Sequence, residues 1–151
     1  MSDFSSQLFD KEQLFKLSWR RLVYLLIALI ALGATEYSTQ VYRAHIYRND
    51  IFDFGLADTA GNLFGVIVLI HVALFLSHAD GPRTRFWIGT QTMGMIVYEF
   101  AQPLFPWGTF DPKDILATLI GCGIAFLLNL GLHGKMLLRR VEGDTLPRAE
   151  A

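Results

Sequence analysis

In this chain of 151 residues, 52% of the side chains are hydrophobic and only 18% are charged, and mean hydropathy is positive at +0.36. That balance excludes an ordinary water-soluble domain and points to a membrane protein of one or at most two domains. No basic array of the density that nucleic acid needs appears, so no nucleic-acid partner is expected, and the single cysteine excludes a disulfide framework or a thiolate metal cage.

Residues 1–18 alternate Phe4, Leu8, Phe9, Leu14 and Phe15 with Asp10, Lys11, Glu12 and Lys16. The spacing fits an amphipathic segment on the cytoplasmic membrane surface, or a partly ordered tail. It is too polar to be a cleavable signal peptide. Trp19 and Tyr24 then suit a membrane interface.

Four apolar stretches follow, at about 22–36 (extended at both ends), 57–77, 86–102 and 114–132. Each approaches the roughly 20 residues that an α-helix needs to cross a ~30 Å hydrocarbon layer. The expected fold is therefore all-α: a four-helix transmembrane domain over 19–138, with a disordered cytoplasmic tail at 139–151. Ten of the thirteen Lys and Arg residues fall in the N-terminal segment, the middle connection and the tail. Only Arg43, Arg48 and Lys113 fall in the other two connections. By the positive-inside rule both termini are cytoplasmic.

The first outer connection, 36–57, is rich in aromatic residues (Tyr37, Tyr42, Tyr47, Phe52, Phe54), and part of it reads as a re-entrant or interfacial helix. Asp80-Gly81-Pro82 marks a tight cytoplasmic turn. The last outer connection stops one helix at Pro103 and turns through Pro106 and Gly108. A new helix restarts behind Asp111, a good N-cap, with Pro112 at the first helical position and Asp114 in the first turn.

The two halves resemble each other. Asp58-x-x-x-Asn62-x-x-Gly65 matches Asp114-x-x-x-Thr118-x-x-Gly121, and Glu36 near the end of the first span matches Glu99 near the end of the third. This reads as two duplicated helical hairpins related by an axis along the membrane normal. Gly61-x-x-x-Gly65 and Ala117-x-x-x-Gly121 are small-residue pairs that would let the second and fourth spans approach closely.

Ionisable and amide groups at the edge of apolar spans need a reason. Glu36, Asp58, Asn62, Glu99, Gln102, Asp111, Asp114 and Thr118 can be read as one extracytoplasmic site that accepts a cationic or hydrogen-bonding headgroup. The other reading is helix capping and bundle-internal hydrogen bonding, which suits Asp58 and Asp114 at helix starts but not Glu36 and Glu99 at helix C-terminal ends, where the dipole disfavours an anion. His71 lies within the second span, either as a neutral imidazole bonded to a neighbouring helix or as a proton relay. No metal site is indicated, and no cofactor is expected.

Glu99-x-x-Gln102, then Asp111-x-x-Asp114 and Gly121, resembles the recognisable segment of the VanZ-like family of small bacterial membrane proteins. Pro106-Trp-Gly-Thr109 stands where that family has a Pro-Gly-Arg turn, and Thr118 where it has Asn. The resemblance implies a multi-pass protein of the bacterial cytoplasmic membrane and cell envelope, and supplies no established reaction. The functional expectation is a non-enzymatic protein that binds a lipid-linked or envelope component through the acidic cluster. The alternatives are an accessory subunit of a larger membrane complex or homo-oligomer, a small membrane enzyme acting on a lipid headgroup with a Glu as base, and a small proton-coupled carrier using His71. Membrane lipids are partners in every case.

Overall fold

A computed structural model describes residues 18–77, 82–106 and 109–134. The expected amphipathic segment before Ser18, the turn at 78–81, Trp107 and Gly108, and the C-terminal tail lie outside the described residues. The described elements are helical: α1 (Trp19–Tyr37), a π-helical turn (Ser38–Tyr42), α2 (Arg43–Arg48), α3 (Leu56–Ser77), α4 (Pro82–Ala101), a 3₁₀ turn (Gln102–Leu104) and α5 (Pro112–His133). No strand occurs among the described residues.

Three helices are long and apolar enough to cross a membrane: the continuous stretch Trp19–Arg48, Leu56–Ser77 and Pro112–His133. The fourth expected span forms α4, of 20 residues. Arg83, Arg85, Thr84, Thr90, Gln91, Thr92 and Glu99 lie along α4 and dilute its apolar character. The connection after the first span is shorter than the sequence suggests. No Gly or Pro interrupts residues 34–54, so the helix that begins at Trp19 runs on through a π-helical turn to Arg48. It closes at Asp50, whose positive φ of 50° lets Ile51 N–H reach back to Ile46 O at 3.1 Å.

Helix α3 is the central element, packed against α1, α4 and α5. Its buried residues, among them Ala57, Thr59, Val66, Ile67, Ile70, His71 and Leu74, cover more than one face. Tyr24 and Ala31 from α1, Ile88 from α4 and Ala125 from α5 complete the core. Large apolar side chains on α1 (Leu22, Leu26, Leu29, Ile30) and α5 (Leu116, Leu119, Ile120, Leu127) point outward. That inverted distribution is stable when lipid rather than water surrounds the bundle.

The close approach of α3 and α5 rests on Gly121, where an added Cβ would lie 2.3 Å from Leu63 O. Ala117, one turn earlier, is buried in the same seam. Gly61 and Gly65 do not share that role, because an added Cβ at either meets nothing within 4 Å. Leu63 and Val66 present the contacting side of α3, and Gly61 is turned about 200° away from Leu63 at 3.6 residues per turn.

The N-terminal ends of α1, α3 and α5 are capped by side chains. Ser18 accepts from Arg21 N–H at the start of α1, and Asp111 Oδ1 accepts from Lys113 N–H at 2.9 Å at the start of α5. Asp53 does the same for α3, accepting from Gly55 N–H at 3.0 Å and Ala57 N–H at 2.7 Å. Arg21, buried in the first turn of α1, donates from Nε to Phe75 O at 3.1 Å and lays its guanidinium over the Phe75 ring, tying α1 to the last turns of α3.

Candidate functional site

Glu99 closes α4 and is the most deeply buried acid among the described residues, with 0% of its surface exposed. The 3₁₀ turn that follows brings Gln102 over it, and Gln102 Nε2 donates to Glu99 Oε2 at 2.6 Å. Asp114 comes from the first turn of α5, fixed there by the Asp111 cap. The side-chain amide of Asn62 on α3 interacts with both carboxyl groups. Thr118, fully buried, lies one turn beyond Asp114 on the same side of α5. Three helices thus converge two carboxyls, two amides and a hydroxyl at one end of the bundle.

The field at this junction is negative. Asp114 and Asp111 act on Glu99, and Asp111 and Asp58 act on Asp114. Glu99 Oε1, Asp114 Oδ1 and Thr118 Oγ1 are buried and have no hydrogen-bond partner among the described residues. The nearby cations are engaged elsewhere. Arg43 Nη2 pairs with Asp58 Oδ1 at 3.0 Å, and the Lys113 side chain lies against Gly55. Phe100 stacks on Phe110 with ring centres 5.3 Å apart, closing the α4–α5 connection beside the junction.

Of the residues singled out in the sequence, Glu99 and Gln102 are hydrogen-bonded to each other, Asn62 and Asp114 lie beside them, and Asp111 and Thr118 border the group. Asp58 stands toward the rim, half exposed, where it also accepts from Tyr47 OH at 2.7 Å. Glu36 is exposed near the end of α1. A concavity of about 200 Å³ opens at the rim, lined by residues that include Ile46, Tyr47, Asp50, Asp53 and Asp58. Within it, partial desolvation pushes the Asp53 carboxyl up, but the N–H groups of Ala57 and Gly55 and the Tyr42 hydroxyl outweigh this and hold it below its ordinary range. Among the described residues, no group of three or more His, Cys, Asp or Glu side chains is arranged to hold a metal ion.

A separate polar set lies toward the opposite end of the bundle. His71 Nδ1 donates to Ile67 O at 2.8 Å, and Asn129 Nδ2 of α5 lies 3.3 Å from His71 Nε2 and also donates to Ala125 O at 2.8 Å. Tyr24 OH of α1 bonds to Nε2 of His133 at the last turn of α5, and the Tyr24 ring faces both imidazoles. Both His71 nitrogens are therefore engaged. Val66, Ile67, Ile70 and Ala125 form an apolar layer between the two polar sets. The signal for this second set was a lone Asn inside an apolar span, Asn129, which costs energy unless it bonds across helices.

No protein-family model matches the chain, and no solved structure matches it. A stretch of 39 residues, 26% of the chain, is 46% identical to an uncharacterized protein of the fission yeast Schizosaccharomyces pombe. The match covers 24% of that protein, so the chain spans about a quarter of the length of this relative.

Proposed function

We propose that this chain is a four-pass membrane protein of VanZ-like type that binds a lipid-linked or other membrane-resident molecule, without chemistry, at the Glu99–Asn62–Asp114 junction. In this reading α4 is the fourth span, both termini are cytoplasmic, and the junction faces the other side, in the cell envelope. The Lys/Arg asymmetry supports the orientation. The length of α4, 20 residues or about 30 Å, supports the fourth crossing. The duplicated hairpins are supported by α3 and α5, each 22 residues long with an Asp at its third position.

The observation that carries the binding reading is Glu99: wholly buried, beside a second carboxyl, with Oε1 unpartnered. Capping alone does not account for it. Glu99 sits at a helix C-terminal end, where the helix dipole disfavours an anion, and burying an unpaired charge is costly. A binding partner that supplies hydrogen-bond donors or positive charge resolves both costs.

A second reading, an accessory subunit of a larger membrane complex, is favoured by α4. Its exposed side carries Gly89, Thr90 and Gly94 with open space at the glycines, a surface that a partner helix could approach closely.

Native mass spectrometry after gentle detergent extraction separates these readings. A bound small molecule carried by the wild type and lost in a folded Glu99→Gln variant supports the binding reading. A stoichiometric protein partner retained by both forms, with no small molecule on either, transfers the assignment to the accessory subunit.

A further inference from the structure

Thr118 narrows the class of ligand, on the premise that the junction binds one. Thr35, Thr39, Thr59, Thr90 and Thr92 each donate their hydroxyl to the carbonyl four residues back, at 2.8–3.1 Å. That local bond is the default for a helical threonine cut off from water. Thr118, well inside α5, is fully buried and does not make it, so its hydroxyl has no partner; Thr84, buried and unpartnered too, lies in the first turn of α4, before any carbonyl of that helix four residues back. One turn away on the same side of α5, Asp114 Oδ1 is also unpartnered, and so is Glu99 Oε1 from α4.

We propose that these three oxygens, Glu99 Oε1, Asp114 Oδ1 and Thr118 Oγ1, receive a primary ammonium group. An ammonium carries three N–H donors and no acceptor, one for each orphaned oxygen. Its positive charge offsets the mutual repulsion of two carboxyls that no Lys or Arg of the described residues neutralises at this point. A water molecule supplies only two donors and leaves the charge unbalanced. A quaternary ammonium has the charge but no donor, and leaves all three oxygens unpartnered. The donor set suits a divalent ion less well. Ca²⁺ takes six to eight oxygens and Mg²⁺ a near-octahedral shell, against three oxygens and the Asn62 amide here. Gln102 and Asp111, both half-buried, border the site. The ammonium can belong to an aminophospholipid headgroup or to a free amine.

The test uses the purified full-length chain in lipid nanodiscs. Thermal unfolding is followed in phosphatidylcholine alone, in phosphatidylcholine with phosphatidylethanolamine, and in a series with mono- and dimethylated ethanolamine headgroups. The expected result is a saturable rise in Tm with phosphatidylethanolamine that shrinks with each added methyl and vanishes for phosphatidylcholine. Soluble ethanolamine added to phosphatidylcholine discs identifies the source: a rise equal to that given by the lipid assigns a free amine, and no rise assigns the headgroup. Thr118→Val keeps the shape and removes the hydroxyl; it should weaken the apparent affinity about tenfold, the loss of one charge-assisted hydrogen bond. Asp114→Asn provides a second variant if Thr118→Val does not fold. A rise that ignores methylation, or one given by Ca²⁺ and not by any amine, overturns the ammonium assignment. In those cases the Glu99-dependent small molecule seen by native mass spectrometry would still stand, whereas its absence removes the binding reading itself.

Discussion

Gly121 of α5 lies directly against the backbone of α3, with the carbonyl oxygen of Leu63 2.3 Å and Val66 Cγ1 2.6 Å from the place a Cβ would occupy. This contact sets the spacing of the two helices that carry Asn62, Asp114 and Thr118, and the acidic junction depends on it. Backbone cannot yield as a flexible side chain can, so Gly121→Ala must push the helices apart. The expected cost is about 1–3 kcal/mol of stability, as for other overpacked interiors. Gly61→Ala and Gly65→Ala meet open space and should leave stability unchanged or raise it by up to about 1 kcal/mol through helix propensity. Thermal unfolding of the three variants in one detergent checks the contrast.

Acid should loosen the cap of α3. The Asp53 carboxyl is held below its ordinary value of 3.8 in the folded chain, so the unfolded chain binds a proton there more readily. The stability contributed by Asp53 is therefore present above the unfolded value and is lost as pH falls through the folded one. Asp53→Asn should flatten that acid limb of the stability–pH curve, and Asp53→Ala should also lower Tm near neutral pH. Melting curves from pH 6 to about pH 2 give the comparison; an unchanged acid limb in Asp53→Asn contradicts the assignment.

The His71 ring should carry its proton on Nδ1. Nδ1 faces Ile67 O at 2.8 Å and Asn129 Nδ2 faces Nε2, so one nitrogen must donate and the other accept. Nitrogen-15 chemical shifts of His71 report this directly. Asn129→Leu removes the donor and leaves Nε2 buried and unpaired, which should cost about 1–3 kcal/mol.

Sidedness can be read by labelling. In a Cys122→Ser background, Phe54→Cys in the exposed loop before α3 should react with a membrane-impermeant maleimide added to intact cells. Tags at the two termini should be reached only after permeabilisation. The reverse pattern inverts the orientation inferred from the Lys and Arg distribution.

Much of the junction was legible in the chain because its parts are local. Asp111 followed by Pro112 is a helix start at any position, and the i, i+4 spacing puts Asp114 and Thr118 on one side of α5. The matching Asp58 and Asn62 on α3 made a shared site readable before any contact was known. The continuation of the first helix to Arg48 was not legible, since tyrosines and isoleucines serve an interfacial helix and an aromatic loop alike. Asp53 was hidden as a cap because it precedes a Phe54 held at φ 59°, a backbone state that an aromatic residue rarely adopts. The pairing of Tyr24 with His133 spans 109 residues and has no local signature.

The central claim is that Glu99 and Asp114, from different helices, act as one site. A double-mutant cycle tests it most directly, using Glu99→Gln, Asp114→Asn and the pair together, with the Tm rise given by phosphatidylethanolamine-containing nanodiscs as the readout. Joint action predicts that either single substitution removes most of the rise and that the second adds little. Independent, additive losses, or a rise that survives both substitutions, would contradict it.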